Sequence, residues 1–330
     1  MAPDFLHTLS LARFAIFLRP QSDLYLPGYK GAAFRGGFGY VFKSIVCPTH
    51  GVDCIHARLG DPCVYSEVFE SPVPKDSAVM RKYTFVPHPF VLTPPLDRRA
   101  HFTQDRELCV ELVLVGRAIQ WLAYFICTLE ELGRRGIGPN RDHYRVERVE
   151  SLDSPGEAAQ RTVVYDGTLR RAVATPHVIR VAALSDGSSN GEAVALSFAT
   201  PARLISSEHL ATQLSFVTLF RSLLRRLALL AQFHCGATVS VEPLRELIQE
   251  AKAIRVKGSH LRWKDWERFS TRQQSFMKLG GLVGEISFQG QMGRFLPFLR
   301  AGELTHVGKA TSFGLGKYGL HIDLRNSNVS

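Results

Sequence analysis

The sequence predicts an α+β protein in which one strand–helix–strand–strand–helix–strand motif occurs twice in tandem. Two observations predict it. Apolar residues alternate with period two in short segments and take helical spacing in the longer ones between them. The order of these segments then recurs beyond a polar loop, Ser185-Asp-Gly-Ser-Ser-Asn-Gly191.

The first copy opens with a strand at Ser10 to Leu18, where Phe14, Ile16 and Leu18 alternate onto one face. A Pro- and Gly-bearing loop leads to a helix at Tyr29 to Val46, and a cysteine-bearing loop runs from Cys47 to about Ser71. Strands are expected at Tyr83 to Thr93 and Glu107 to Val115. Gly116 then changes the period, and a helix at Arg117 to Leu132 ends at Gly133 and Gly136. Tyr144 to Val149 closes the set as a strand. This order is the split βαβ, or ferredoxin-like (RRM-like), motif, in which two helices cover one face of an antiparallel sheet.

The second copy is expected to comprise a strand at Ala193 to Thr200 and a helix at His209 to Cys235 with Leu210, Leu214, Leu223 and Leu227 in its stripe. Strands at Ser259 to Arg268 and Gly281 to Phe288, a helix at Gly293 to Ala301 and a strand at Tyr318 to Leu324 complete it. Domains are therefore expected at 1–175, with the cysteine loop 47–71 inserted, and at 192–330, with a glycine-rich loop at 308–319.

Of the 330 residues, 45% are hydrophobic and 21% charged, a globular balance that argues against long disorder. Lys and Arg number 40 against 30 Asp and Glu, a formal charge of +10. Such an excess suits a polyanion, because cations on phosphates release counterions, although many basic proteins bind no nucleic acid. Membrane helices are not expected: Leu108 to Leu129 holds Glu111 and Arg117, and Leu210 to Phe233 holds Arg221, Arg225 and Arg226. Asp4 and His7 precede any apolar run, so no secretory signal is expected and the protein reads as cytoplasmic. Cys109, Cys127 and Cys235 read as buried thiols.

Three stretches carry chemistry. In Gly308-Lys-Ala-Thr-Ser-Phe-Gly-Leu-Gly-Lys-Tyr-Gly319, Gly308, Gly314 and Gly316 permit close backbone approach to a ligand, Lys309 and Lys317 bring charge, and Ser312 a hydroxyl, which together suit phosphate oxygens. The same run also reads as a flexible hairpin turn. In Arg262-Trp-Lys-Asp-Trp-Glu-Arg-Phe-Ser-Thr-Arg272, Arg262, Lys264, Arg268 and Arg272 alternate with Trp263, Trp266 and Phe269, a mixture that fits single-stranded nucleic acid or a strand with snorkelling arginines. In the cysteine loop, Cys47, Cys54 and Cys63 with His50 or His56 have the donor types of a tetrahedral structural zinc site, the alternative being free thiols.

Leu279-Gly-Gly-Leu-Val-Gly284, then Phe295-Leu-Pro-Phe-Leu299, then the glycine-rich run from His306 to Tyr318, resemble the C-terminal signature of the CRISPR precursor-RNA-processing endoribonucleases of the RAMP superfamily. Leu26-Pro-Gly-Tyr-Lys-Gly-Ala-Ala-Phe-Arg-Gly-Gly-Phe-Gly39 resembles the segment entering that family's first helix, and Cys63-Val-Tyr-Ser-Glu-Val-Phe-Glu70 a Cys-x-Tyr stretch of one branch. The resemblance implies paired ferredoxin-like domains that bind CRISPR repeat or guide RNA. It also implies metal-independent attack of a ribose 2′-hydroxyl on the adjacent phosphate.

That chemistry needs a base, a cation on the phosphorane and an acid at the 5′-oxygen. Family enzymes commonly carry a histidine on or beside the first helix; here the helix has none, and Tyr40 stands in its place. Lys43, one turn on, can lower the phenol's pKa or bind the phosphate. Tyr29 is a further catalytic candidate, and Lys30 and Arg35 are candidate RNA contacts. The branch often has a Cys-x-x-Cys pair in the loop. Ala57 replaces its second member, which leaves Cys47, Cys54, His56 and Cys63 as the zinc set. No cofactor is expected for catalysis. The missing histidine keeps a second reading open, a non-catalytic guide-RNA-binding subunit held with other CRISPR effector subunits.

Overall fold

A computed structural model describes residues 3–47, 63–71, 73, 86–156, 158–184, 191–206, 208–270 and 275–322, with backbone alone in 267–270 and 275–278. The chain divides into two compact units, one of Leu11–Asp153 with Ala159–Val178, the other of Met1–Ser10, Ser154–Ala158 and Ile179–Ser330. Each is an α+β unit of the ferredoxin-like kind.

The N-terminal unit comprises β1 (Ser10–Pro20), α1 (Lys30–Val46), β2 (Phe90–Thr93), β3 (Leu108–Val115), α2 (Leu122–Arg135), β4 (Tyr144–Leu152) and β5 (Arg161–Asp166). Its strands lie in the order β2-β3-β1-β4-β5, each antiparallel to its neighbour. Phe14 sits opposite Leu112 and Ile16 opposite Val110 and Val149, so the expected alternation presents one apolar face. Against it pack the aromatic residues of the helices. Phe38 and Phe42 of α1 lie 5.2 and 5.4 Å from the Phe125 ring of α2, and Phe90 lies 5.5 Å from it. Burying one such ring contributes about 1.5–3 kcal/mol. Gly133 lets α2 lie directly on β4, since a Cβ there would come within 2.2 Å of the Tyr144 carbonyl oxygen.

The C-terminal unit comprises β6 (Ala193–Ala202), α3 (Phe216–His234), α4 (Val241–Ala251), β7 (Arg255–Lys264), β8 (Gly281–Gln289), α5 (Leu296–Thr305) and β9 (Tyr318–Ile322). Its order, β7-β8-β6-β9, matches β2-β3-β1-β4 strand for strand. The buried face is lined by Leu196, Ile286 and Phe288, with Phe216 of α3 5.2 Å from Phe288 and Phe220 4.8 Å from Phe295. The short helix Phe5–Thr8 packs in this unit, with Phe5 6.3 Å from Phe298.

Several expectations are corrected in detail. The helix expected from His209 begins at Phe216, because the Ser215 hydroxyl accepts the Thr218 amide at 3.3 Å and starts it there, while Leu210 pairs with Ile205 in a short hairpin. The helix expected from Arg117 begins as a 3₁₀ turn, Gly116–Trp121. Helix α4 was not foreseen, and α5 starts and ends later than Gly293 to Ala301. The strand expected at Ser259 to Arg268 is β7, which stops at Lys264; Glu267–Ser270 pairs with Ser275–Lys278 instead. Cys127 is exposed, being off the stripe of Phe125, Ile126, Leu129 and Leu132, and Cys109 and Cys235 are half-buried. Tyr83 lies outside the described residues. Among the described residues, no helix is long and apolar enough to cross a membrane.

Candidate functional site

The N-terminal candidates cluster on α1, but the helix sorts them onto different faces. Phe34, Phe38, Val41 and Phe42 turn to the core, which leaves Tyr40 outward and 74% exposed. The Arg135 guanidinium lies 6.0 Å from the Tyr40 ring, and Arg135 also bonds Glu131 at 2.6 Å and the Ser44 hydroxyl at 3.3 Å. Lys43, half-buried, reaches over the Tyr65 ring at 5.2 Å rather than solely along its own helix. Tyr65 belongs to a short helix, Val64–Phe69, and stacks on Phe69 at 5.3 Å. Arg135 was not singled out from sequence, and Tyr65 entered only as the tyrosine of the Cys-x-Tyr stretch, because their partners come from other elements.

Lys30 and Arg35 are corrections. Lys30 is 1% exposed, with its ammonium 2.6 Å from the Asp97 carbonyl and 3.5 Å from the Asp97 carboxylate. Arg35 is buried with its guanidinium 4.5 Å from the Phe69 ring centroid and 5.2 Å from that of Phe90. Both therefore spend their charge inside the fold and are not surface phosphate contacts. Tyr29 is the half-buried residue just before α1.

Of the zinc candidates, Cys47 is buried at the end of α1, and the Cys63 thiol accepts the Ser66 amide at 3.3 Å, capping Val64–Phe69. Cys54, His56 and His50 lie outside the described residues. Among the described residues, no three His, Cys, Asp or Glu side chains gather as a metal-holding group.

In the C-terminal unit, β7 is an edge strand that pairs with β8. Register puts His260, Arg262 and Lys264 opposite Glu285, Val283 and Gly281, on the face away from the core, and the same face carries His321 of β9. His260 and Arg262 are exposed. Trp263 is 40% exposed while its indole N–H donates to Asp265 at 2.7 Å, so its ring is available with its polar atom already satisfied. The Trp266 ring is covered by the Lys264 ammonium at 4.7 Å. Cations on an edge strand also discourage edge-to-edge pairing, which accounts for part of this composition. Arg272 lies outside the described residues, and Arg268 is described in its backbone alone.

The glycine-rich run is a folded loop rather than a plain hairpin turn. Its backbone closes on the end of β6: Lys309 N–H donates to Arg203 O at 2.9 Å, Gly316 N–H to Pro201 O at 3.0 Å, and Lys317 N–H to the Thr200 hydroxyl at 2.8 Å. Gly308, Gly314 and Gly316 all have positive φ. Gly316 requires glycine most strictly, since φ is +72° and a Cβ would lie 1.9 Å from the Val307 carbonyl oxygen. Ser312 is buried, which removes it from the exposed phosphate contacts expected of it, whereas Lys309 is exposed and Lys317 half-exposed.

Beneath the loop lie two groups not singled out from sequence. Arg226 of α3 is 9% exposed, and its Nε–H donates to Thr305 O, the last carbonyl of α5, at 2.9 Å. Burial lowers its pKa to about 10. His306, 2% exposed, has its Nδ1 3.2 Å from Leu315 O across the loop, which makes Nδ1 the donor. Burial, Lys317 and Arg226 hold its pKa well below the usual value. The signal for Arg226 was present in sequence, since it shares the helical face of Leu219, Leu223 and Leu230.

Two family models match: AF_1859_N, described as an N-terminal domain, over residues 9–178, and the CRISPR-associated endoribonuclease Cas6 over residues 196–318. An uncharacterized protein of Archaeoglobus fulgidus is 27% identical over 143 residues, 43% of this chain and 45% of that protein, so the chain spans under half of that relative. Among solved structures, the product complex of Cas6 (TTHB231) matches with TM-score 0.55 and 16% identity over 94% of this chain and 99% of that one. The Thermus thermophilus Cas6 (TTHB231) structure matches with TM-score 0.52 and 14% identity over 95% and 99%. A partial Cas6-RT-Cas1–Cas2 complex matches with TM-score 0.55 and 13% identity over 98% of this chain and 48% of that one. At these identities the structures speak for the fold, paired ferredoxin-like units. The chain belongs to the AF_1859_N family, whose N-terminal domain it matches over residues 9–178, and its residues 196–318 are similar to the CRISPR-associated endoribonuclease Cas6.

Proposed function

We propose that this protein processes CRISPR precursor RNA by cutting within the repeat without a metal ion. The 2′-hydroxyl oxygen attacks the adjacent phosphorus, its proton passes to a base, and the bond to the 5′-oxygen breaks as that oxygen takes up a proton. The products are a 2′,3′-cyclic phosphate and a 5′-hydroxyl. The observation that carries this reading is the folded glycine-rich loop between α5 and β9, inside the segment that matches the Cas6 family.

In this reading Lys309 and Lys317 meet the RNA backbone, while Arg262, Trp263 and Arg268 track a single strand by charge and stacking. Tyr40, Lys43 and Tyr29 are the candidate catalytic groups, with Arg135 beside Tyr40 as a cation suited to a developing phosphorane. A structural zinc on Cys47, Cys54, His56 and Cys63 belongs to the same proposal and is tested by metal analysis of the purified protein. Action in the cytoplasm and assembly with other CRISPR proteins are part of it as well. The test is incubation with repeat RNA in EDTA followed by analysis of product ends. Cyclic phosphate and 5′-hydroxyl ends support the enzyme, and tight binding of RNA that stays intact supports the non-catalytic subunit instead.

A further inference from the structure

A buried arginine without an acid beside it is expensive to keep, because its charge loses hydration that nothing equivalent replaces. Arg226 is such a residue. Its Nε–H is used on Thr305 O, its buried Nη2 has no hydrogen-bond partner, and among the described residues no carboxylate pairs with it. Its only shift in proton affinity comes from burial. Arg35, a buried arginine of the N-terminal unit, has two aromatic faces as compensation.

The surroundings of Arg226 add positive charge rather than offset it. Lys317 and Arg226 both act on His306, and the Nδ1 proton of that ring is fixed by Leu315 O. Thr305, bonded to Arg226, and His306 stand at the entry of the loop, and the bond from His306 to Leu315 O reaches its far side. The Thr200 hydroxyl ties the loop from below by donating to Gly314 O at 2.8 Å. The amides of Lys309, Gly316 and Lys317 are spent inward on the end of β6, so what the loop offers an anion on its outer side is the exposed Lys309 and half-exposed Lys317 side chains, with the buried charge of Arg226 behind them.

We propose that Arg226 is a positioning residue whose buried charge makes the loop 308–317 a phosphate seat for the RNA backbone, acting through the loop rather than by contact. This deepens the proposed function and rests on it. In the apo protein the charge of Arg226 is uncompensated; a phosphate on the loop supplies the missing counter-charge, so binding and folding become linked.

The experiment uses the full chain and two variants. R226K keeps charge, and R226Q keeps an N–H donor without charge. The thermal midpoint is read in inorganic phosphate against sodium chloride at matched ionic strength, and affinity for repeat RNA is read at low salt. Wild type and R226K should gain about 2–4 °C in phosphate, while R226Q loses that increment and binds RNA about tenfold more weakly. A strut acting only by hydrogen bonding would leave R226Q near wild type or weaken both variants alike, and either result overturns the proposal. Should R226Q fail to fold, wild type still decides, since no phosphate increment overturns it. If wild type binds RNA but the variants do not differ, this inference alone fails. If wild type binds no RNA, the functional reading fails with it.

Discussion

The two units share a strand order yet place their candidate RNA-contacting cations in opposite ways. In the N-terminal unit, Lys30 and Arg35 of the first helix turn inward, one onto Asp97 and the other between Phe69 and Phe90. In the C-terminal unit, Arg255, Lys257 and Arg262 stand exposed on an edge strand, while Arg226 is buried under a loop. One topology thus turns the first-helix RNA-contact candidates of one unit inward and sets the candidates of the other on an exposed edge strand. The lesson is that repetition of the fold does not repeat the surface, because helix faces are assigned by what each packs against.

The largest effect that sharpens this contrast is expected at Gly316. Alanine there meets the Val307 carbonyl and an unfavourable positive φ, so G316A should cost about 3 kcal/mol or more in chemical denaturation. A cost below about 1 kcal/mol would mean that the loop is not held as described. Next comes the N-terminal cluster. Y40F or K43A should slow cleavage about 100-fold while sparing RNA affinity, which is about 2.7 kcal/mol on the barrier. Wild-type rates in both would remove them from the mechanism and leave the exposed His260 and His321 as the next groups to change.

The C-terminal lysines should behave in the reverse sense. K309A and K317A together are expected to weaken RNA binding about tenfold and to flatten its dependence on salt by about one unit for each phosphate no longer neutralised. An unchanged salt slope would contradict a role for these lysines on the RNA backbone. A smaller effect concerns His306. Its folded pKa is lowered, so the ring is neutral in the fold, and below about pH 6.5 the unfolded chain takes up a proton that the folded chain does not. Its contribution is whole above that pH and is lost as pH falls toward the folded value. H306N keeps a donor for Leu315 O and tolerates the positive φ, so it should flatten the loss of stability that sets in as pH falls below about 6.5. Parallel curves for the two proteins would refute this. Smallest of all, K30M should lower the melting temperature yet leave RNA affinity within about twofold; a large loss of affinity would return Lys30 to the interface.

Much of the fold was legible because strands and helices declare themselves by period. β1, α1, β3, β4, β6, β8 and β9 stand close to where alternation and helical spacing put them. The start of α3 was misjudged because Leu210 and Leu214 continue its apolar spacing while the cap at Ser215 begins the helix later. Of the candidate site, Tyr40 and Lys309 are exposed, whereas Lys30, Arg35 and Ser312 are inside. No local rule marks those three, since a cation or hydroxyl near glycines reads the same whether it faces water or a ring two elements away.

From the chain of residues alone came the doubled motif, its order of elements and the glycine run at its end, because periodicity and turn chemistry act between neighbours in sequence. The three-dimensional arrangement decided which charges are displayed and which are sequestered. That choice depends on contacts such as Lys30 with Asp97 and Arg226 with Thr305, partners 67 and 79 positions apart, whose meeting is set by packing and by the cost of leaving a buried charge unpaired.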